Sequence, residues 1–485
     1  MRRLIQFVLL TAAIVIVPLK CVTKFAAVLD ADIWLRLRTG EWIMQQRALP
    51  HNGLFTQHLE LPWIAYSWGF DLLSWAWFRG FGPNGLANIT MLLVVLQALI
   101  ATGLFVCIEK TSRRFVLSTV LTAIILIAAN SVSLRSLLFS LLFYTVELYL
   151  LLASERDGQT KRLWWLVPMF VLWTNVHIQF VYGLFVLGVF ALAVTASWVG
   201  SQRSTRMLPP SIRPQTAWIL LGACTLATFV GPYFVSIYRT IFAYAGNTTQ
   251  YEQIIEYSAM NFRHPQHYLQ LLLVLVAFFA VGWKHSFEPF RLMLLTSTAL
   301  VAFRSQRDGW FVCIAAGMLL AEALRSKADV TIDGRERRWQ WAIPAGAFCM
   351  AVLIAYGVAK SKGLDSQTLI KQIDREYPVR AASFIAERKL PGPLYNTYNW
   401  GEYLVFNLRD YPVSIDGRTD LFGPAMDARA MATVNAYDLA HDPDFQRARV
   451  ILLERFLPLT TYLANDPHYK LVYSDHLAVV FIKVQ

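Results

Sequence analysis

Charged side chains are scarce in this chain, and their scarcity excludes an ordinary soluble protein. Of the 485 residues, 16% are charged and 56% are hydrophobic, and the mean hydropathy is +0.43. Soluble domains carry about 25% charged residues. Apolar runs of about 17 to 25 residues, long enough to cross a bilayer as a helix, recur as far as residue 359. The sequence therefore predicts an integral membrane protein.

Cysteine is also rare, and the cysteines are not arranged for a disulfide framework or a zinc site. No CxxC pair and no Cys/His cluster occurs. The five cysteines all lie in or beside hydrophobic segments: Cys21, Cys107, Cys224, Cys313 and Cys349.

The motifs of common soluble enzymes are missing as well. The chain contains no P-loop, no GxGxxG, no GxSxG and no HExxH. A transferase for nucleotide sugars would need a large cytoplasmic domain, for which the sequence offers no candidate segment. A sugar donor carried on a membrane lipid needs no such domain.

The net charge of +12 does not indicate a nucleic-acid partner. Lys and Arg lie mainly in short loops between the apolar runs, as the positive-inside rule requires of cytoplasmic loops. The apolar runs, together with the charges of the loops between them, predict about eleven transmembrane helices. The N-terminus is then cytoplasmic and the C-terminus lies outside. No cleavage pattern follows the first apolar run, which is therefore predicted to remain as an uncleaved helix.

A change in the length of the apolar runs after residue 359 predicts two domains. Residues 1–359 form a transmembrane domain, with outer loops at about 30–84 and about 239–265. Residues 360–485 form a small extracytoplasmic α/β domain, because their apolar runs have the length of strands. The predicted fold class is thus a polytopic α-helical membrane protein with a C-terminal soluble α/β domain.

The C-terminal domain is predicted to alternate short strands with amphipathic helices. Asp365 is placed to cap a helix over Ser366–Arg388. The predicted strands are Val413–Ile415, Val450–Leu453 and Leu477–Ile482.

Two carboxylates, Asp30 and Asp32, stand where the first membrane helix reaches water. Either they cap the following helix or they form part of a catalytic or metal-binding site. The helix from Ile33 onwards is amphipathic and is predicted to lie in the headgroup layer. Its apolar side comprises Ile33, Trp34, Leu37, Trp42 and Met44.

Other polar side chains are predicted on the same outer face. Arg304 and Arg307, between two helices, can bind a phosphate bidentately or simply extend to lipid head groups. Asn175 and His177 can be ordinary interfacial residues. Glu252 and Glu256, four residues apart on the second outer loop, can belong to one solvated helix face.

These features resemble the GT-C superfamily of membrane glycosyltransferases. The shared features are an Asp-x-Asp after the first helix, a long first outer loop, many spans and an outer C-terminal α/β domain. More narrowly, the first loop is similar to that of a set of bacterial GT-C-like membrane proteins. The matching residues are Asp30, Asp32, Trp34, Leu37, Arg38, Thr39, Gly40, Glu41, Trp42, Ile43, Leu49, Pro50, Pro62 and Trp63.

Later segments extend the resemblance over nearly the whole chain. They are Trp173-x-Asn175-x-His177, Tyr398 to Leu404 and Ile415 to Asp420. The chain departs from the pattern at Arg36, where His is expected, at Asn52, where Asp is common, and at Ser67, where Glu is common.

The resemblance implies a sugar transfer from a polyprenyl-phosphate-linked donor to an acceptor at the outer face of a bacterial inner membrane. Asp30 or Asp32 would be the general base or would hold a divalent metal, Mg²⁺ or Mn²⁺. Arg304 or Arg307 would bind the lipid phosphate. Asp416, Arg418 and Asp420 would contact the acceptor, although a salt-bridged turn explains those three residues as well. The substrate-binding set also includes Asn175, His177 and Glu256.

Two other functional classes compete with an enzyme. A non-catalytic GT-C-like subunit would serve as a scaffold for a larger membrane complex, and the departures in the first loop favour this alternative. A transporter would need paired charges at the middle of the bilayer. Glu147 is the only acidic residue well inside a predicted span. The expected partners are a lipid-linked donor and membrane lipids and, for a scaffold subunit, other membrane proteins.

Overall fold

A computed structural model describes most of the chain and has the predicted fold class. It describes residues 1–81, 84–129, 133–203, 209–246, 257–283, 288–326 and 334–484. The described chain is mainly helical, and a four-stranded sheet lies near its C-terminus.

Helices account for most of the described residues. Those of the first half are α1 (Arg2–Thr23), α2 (Ala26–Leu29), α3 (Asp32–Gln46), α4 (Trp68–Gly80), α5 (Gly85–Ser112), α6 (Phe115–Ala129), α7 (Leu137–Asp157), α8 (Leu166–Val176), α9 (Phe180–Arg203), α10 (Pro214–Ala227) and α11 (Ser236–Gly246). Those of the second half are α12 (Pro265–Trp283), α13 (Pro289–Arg304), α14 (Gly309–Ala323), α15 (Gly334–Ser361), α16 (Ser366–Ile373), α17 (Val379–Arg388), α18 (Gly401–Asn407), α19 (Thr419–Val434), α20 (Pro443–Arg447) and α21 (Pro458–Asn465).

Six helices of the described chain are long and apolar enough to cross a membrane. They are Arg2–Thr23, Gly85–Ser112, Leu137–Asp157, Phe180–Arg203, Pro265–Trp283 and Arg338–Ser361. The protein is therefore a multi-pass membrane protein. The count of about eleven spans stays a prediction.

The chain divides into two compact units. The first comprises Met1–Lys24, Leu93–Phe234 and Tyr251–Ala359, and the second comprises Phe25–Leu92, Val235–Gln250 and Lys360–Gln485. The first outer loop thus belongs to the same unit as the C-terminal segment. The two-domain division predicted from the sequence, which grouped that loop with the membrane helices, stays a prediction.

The first unit is organised around α14. Its residues from Gly309 to Glu322 are all buried, and α6, α12 and α13 pack against it. A helix that is apolar on every side is stable only when neighbours cover its whole circumference. The sequence of α14 therefore dictates a central position in this unit.

The second unit contains the sheet. Its strands are β1 (Leu394–Asn396), β2 (Val450–Glu454), β3 (Tyr469–Ser474) and β4 (Ala478–Lys483), in the order β1-β2-β4-β3. Only β1 and β2 are parallel. Side chains from β2, β4 and the helices beside them form a hydrophobic core that includes Tyr395, Phe445, Ile451, Leu453, Leu459, Leu463, Val479 and Phe481.

Protein covers the apolar side of α3, so the predicted location of this helix in the headgroup layer is wrong. The ring of Trp34 is 2% exposed and packs against Tyr377, Tyr403 and Phe406 at centroid distances of 6.3, 5.3 and 5.6 Å. Met44, predicted on the same side, is exposed. Aromatic side chains bury enough area for this cluster to hold the first outer loop on the C-terminal segment.

Two predictions for the C-terminal segment need correction. Val413–Ile415 is not a strand, because Val413 makes only an isolated bridge with Thr56 of the first outer loop. The predicted helix Ser366–Arg388 is two helices, α16 and α17, and Pro378 precedes the second. The predicted cap is present: the Asp365 carboxylate accepts a hydrogen bond from the Thr368 N–H at 2.9 Å.

His58 ties the first outer loop to α20. Its Nε2 lies 3.1 Å from Asp444 Oδ2, and both side chains are buried. Asp444 also accepts a hydrogen bond from Arg447 at 2.6 Å. The hydrogen bond to Asp444 is the main reason why the pKa of His58 is raised above 6.5.

This contact makes the stability of the second unit depend on pH. A histidine whose folded pKa is raised stabilises the fold fully below its unfolded pKa, near 6.5, and loses that contribution as pH rises through the folded pKa. We expect the midpoint of thermal unfolding to fall over that range in the native protein and to fall less in His58→Gln. The exposed His476→Gln is the control, and an unchanged pH profile in His58→Gln would contradict the role of this contact.

Candidate functional site

Asp30 and Asp32 flank the start of α3. The short helix α2 ends at Leu29, Asp30 is extended, and its Oδ1 accepts a hydrogen bond from the Asp32 N–H at 3.1 Å. Asp30 is 8% exposed, whereas Asp32 is partly exposed. Asp30 thus contacts the first residue of the helix without capping it, since the N-cap is Ala31 and no side-chain cap is formed. Asp32 is the more accessible carboxylate.

Glu402, in the first turn of α18, is the buried carboxyl group that faces this pair. Burial raises its pKa well above 4.5, and the negative charges of Asp32, Asp416 and Asp30 raise it further, while Arg36 lowers it. Among these charges Asp32 has the largest effect. The first outer loop and the C-terminal segment therefore bring acidic side chains together.

Close approach of two backbone segments makes this arrangement possible. A Cβ on Gly401 would lie 2.2 Å from the Ile415 carbonyl oxygen, and a Cβ on Gly417 would lie 2.7 Å from Glu402 Oε1. Larger residues at either position would push α18 away from residues 415–417. Both glycines therefore hold Glu402 against the turn that carries Asp416.

Asp416 and Arg418 form a buried ion pair with each other. Arg418 Nη2 donates to Asp416 Oδ2 at 2.6 Å and to the Leu54 carbonyl oxygen at 3.0 Å. The guanidinium also lies 4.6 Å from the ring centroid of Trp63. The structure thus contains the salt-bridged turn that was the alternative to an acceptor-binding role.

Helix α19 contributes two further acidic side chains. Asp420 lies in its first turn, and Asp427 is 8% exposed. The pKa of Asp427 is raised to about 7, mainly by burial and further by the charges of Asp416 and Asp420. The phenol of Tyr398, beside the same groups, has a raised pKa because of burial and the charge of Asp427.

Arg36 supplies positive charge to this region. Its Nη1 lies 3.5 Å from Oδ1 of Asp71 in α4, and its guanidinium lies 5.4 Å from the ring centroid of Tyr66. Asp71 is fully buried, which raises its pKa to about 7 despite Arg36. Arg36, which occupies a His position of the expected pattern, thus links α4 to the acidic groups.

The remaining predicted site residues belong to the first unit or lie outside the described residues. His177 Nδ1 lies 2.7 Å from Ser136 Oγ, and Asn175 Nδ2 donates to the carbonyl oxygens of Val171 and Val230 at 2.7 and 2.8 Å. Both side chains therefore have structural contacts.

The predicted phosphate-binding residues have the following positions. Arg304 ends α13. Arg307 hydrogen-bonds the Tyr257 hydroxyl and lies 5.0 Å from its ring centroid. Glu252 and Glu256 are outside the described residues.

Of the predicted residues, five therefore share the second unit: Asp30, Asp32, Asp416, Arg418 and Asp420. Sequence reasoning included Glu402 in a resemblance but did not assign it to the site, and it missed Asp427. A signal for Glu402 was present, because this single acid interrupts the aromatic and aliphatic stretch from Tyr398 to Phe406. Asp427 carries no such signal, since its burial depends on the packing of α19.

The predicted divalent metal has no preformed site in the described part of the chain. None of the described residues form a group of three or more His, Cys, Asp or Glu side chains able to hold an ion. The acidic side chains near Glu402 influence one another electrostatically without being arranged as a ligand set.

Comparisons with solved structures identify the fold. The chain is similar to the archaeal oligosaccharyltransferase AglB from Archaeoglobus fulgidus, solved with an inhibitory peptide and a dolichol-phosphate, with a TM-score of 0.53 and 10% identity over 91% of this chain and 69% of that chain. It is also similar to ArnT from Cupriavidus metallidurans bound to undecaprenyl phosphate, with a TM-score of 0.49 and 16% identity over 99% of this chain and 97% of that chain.

At the level of sequence, no family model and no curated protein matches the chain. The conclusion on the fold depends on the similarity to AglB, which spans most of both chains. The protein has a GT-C-like fold, as the sequence resemblance implied.

Proposed function

We propose that the protein is a membrane glycosyltransferase that moves a sugar from a polyprenyl-phosphate-linked donor to an acceptor. The observation that carries the proposal is the packing of α3, which begins at Asp32, against α18, which carries the buried Glu402, in a chain with a GT-C-like fold. Structural carboxylates usually pair with cations, whereas acids placed near one another are frequent in catalytic sites. The dolichol-phosphate bound by AglB suggests the class of lipid carrier.

The proposed reaction is an inverting displacement at the anomeric carbon. Asp32 accepts the proton of the acceptor hydroxyl or amine as that atom bonds to the anomeric carbon. The bond between this carbon and the phosphate oxygen breaks, and its electron pair leaves with the lipid phosphate. Asp32 is preferred to Asp30 as the base because it is more accessible.

Glu402 has a different role because it retains its proton. If Glu402 were also ionised, its negative charge would favour the protonated form of Asp32. A protonated Asp32 could not act as a base. As a neutral acid, Glu402 can donate a hydrogen bond to Asp32 or to a sugar hydroxyl. The two acids thereby separate into a base and a hydrogen-bond donor.

Arginines would bind the phosphate of the departing lipid. Arg304 and Arg307 keep this proposed role, since fixed guanidinium groups stabilise the charge that develops on a phosphate. Asp420, Asp416 and Arg418 stay proposed acceptor contacts, and Asp416 and Arg418 are also paired with each other. His177, Asn175 and Glu256 stay weaker candidates.

A divalent ion, Mg²⁺ or Mn²⁺, stays part of the proposal only as a ligand of Asp30 and Asp32. Carboxylate oxygens are the ligands that these ions prefer. The described residues do not present a ligand set, so no step above uses a metal.

The proposed location is the inner membrane of a bacterium. The second unit would lie on the outer side, where the positive-inside rule places the first outer loop and the C-terminal segment. Its partners would be the lipid-linked donor, other membrane lipids and the acceptor.

Substitution of the two acids should slow transfer while leaving the fold intact. We expect Asp32→Asn to lower the transfer rate by about 10²- to 10⁴-fold, the usual contribution of a general base. Glu402→Gln should lower the rate by less, because the Gln amide can still donate a hydrogen bond. Mass spectrometry of lipids that co-purify with the protein identifies the donor. Transfer is then measured with that donor in proteoliposomes.

The control variant is Asp365→Asn, since Asn caps a helix as well as Asp does. Co-purification of a sugar-bearing polyprenyl phosphate supports the proposal. Full turnover in both site variants would remove their catalytic role. Absence of any lipid-linked sugar, together with stoichiometric protein partners, would instead select the scaffold subunit.

The proton on Glu402 makes a separate prediction about stability. An acid whose folded pKa is raised lowers the stability of the fold as pH increases above its unfolded pKa, near 4.5. The slope is at most about 1.4 kcal/mol per pH unit for one proton. Glu402→Gln should therefore remove part of the decline in stability above pH 4.5, measured as the midpoint of thermal unfolding. Exposed Glu387→Gln should leave the decline unchanged, and a variant Glu402→Gln that matches the native profile would contradict a protonated Glu402.

A further inference from the structure

Glu147 is a buried acid within α7, one of the six helices able to cross a membrane. Its side chain is 0% exposed, and neither carboxyl oxygen has a hydrogen-bond partner among the described residues. None of the ion pairs found in that part of the chain includes it. Acidic side chains inside membrane helices are rare and usually functional.

The backbone of α9 and two aromatic rings of α8 lie close to this carboxyl. A Cβ added to Gly183 of α9 would lie 2.8 Å from Glu147 Oε2 and 2.7 Å from ring atoms of Phe170 and Trp173 in α8. The titratable neighbours are Tyr144 on the same helix and Cys224 on α10, and both interact electrostatically with Glu147. Neither of them carries positive charge.

A proton can neutralise this carboxyl without any further space. An ionised carboxylate without a partner in apolar surroundings is very costly, and such a group is neutralised by taking up a proton. We propose that Glu147 is a proton-binding site within the helical bundle, reached from the turn Gln306–Asp308 through Tyr182 and Tyr144.

Aromatic side chains that carry polar atoms lie between that turn and Tyr144. The Tyr182 hydroxyl hydrogen-bonds the Asp308 carboxylate. The ring of Tyr182 lies 6.0 Å from that of Trp310, which in turn lies 5.7 Å from Tyr144. Tyr144 precedes Glu147 by three residues and so lies on the same side of α7.

Two groups along this route have unused hydrogen-bonding capacity. The Tyr144 hydroxyl and the Trp310 indole nitrogen are buried and have no partner among the described residues. Buried polar groups are normally satisfied, and each exception requires an explanation. Transient hydrogen bonds during movement of a proton provide one. The inference does not depend on the proposed transferase activity.

Infrared spectroscopy of the intact protein in lipid tests the proposal directly. An un-ionised carboxylic acid has a carbonyl band separate from those of carboxylates and amides. At neutral pH we expect the native spectrum minus the Glu147→Gln spectrum to contain this band, and the band to shift after transfer to D₂O. Glu147→Asp should move the band without removing it, which keeps the test valid if the Gln variant unfolds.

Glu322→Gln is the matched control. Glu322 is also buried in the first unit, but it forms an ion pair with Arg291 at 3.0 Å, so its removal should not affect the neutral-acid band. Tyr182→Phe and Tyr144→Phe should slow the exchange of the Glu147 proton for deuterium. Absence of the band in the native protein would overturn the proton site. Unchanged exchange in both Phe variants would overturn the route.

Discussion

Packing of the first outer loop against the C-terminal segment is the contact on which the proposed site depends. Trp34 inserts among Tyr377, Tyr403 and Phe406, and this aromatic cluster sets α3 beside α18. The same helices carry Asp32 and Glu402. Because aromatic rings bury much area and have few rotamers, they fix the separation of two helices more firmly than long charged side chains would. The acids are thus held by apolar packing.

Such packing has an electrostatic consequence. Acids that are forced together cannot all ionise, so a buried acid without an ion-pair partner takes up a proton most readily. Glu402 is that acid here, since burial and three negative neighbours raise its pKa. Arg36 offsets part of the negative charge, and its own position depends on Asp71 in α4. The first outer loop therefore supplies both the accessible carboxylate and the cation that moderates it.

Sequence patterns predicted the helices and strands well and the tertiary contacts between them poorly. Hydrophobic periodicity predicted α3, α4 and two of the strands, and the cap at Asp365 followed from residue type alone. Amphipathicity did not distinguish a membrane surface from a protein surface, so the partner of Trp34 could not be foreseen. Val413–Ile415 has the composition of a strand, but strand formation needs a neighbouring strand in register, and residue 413 forms an isolated bridge with Thr56 instead of a ladder.

Whether a buried charged group has an ion-pair partner distinguishes structural from functional residues better than its match to a sequence motif does. Arg418 and Asp416 satisfy each other in a bidentate pair, and Arg418 also bonds Leu54. Removal of one partner would leave an isolated buried charge, which is a sufficient reason for both residues to be present. Glu402 and Glu147 are different, because each is buried and neither forms an ion pair with another residue that the structure describes. Burial of such an acid lowers the stability of the fold, and a neutral Gln of the same shape would avoid that cost. Retention of the acid is therefore explained by its ability to hold and release a proton, at the proposed transferase site in one case and inside the helical bundle in the other.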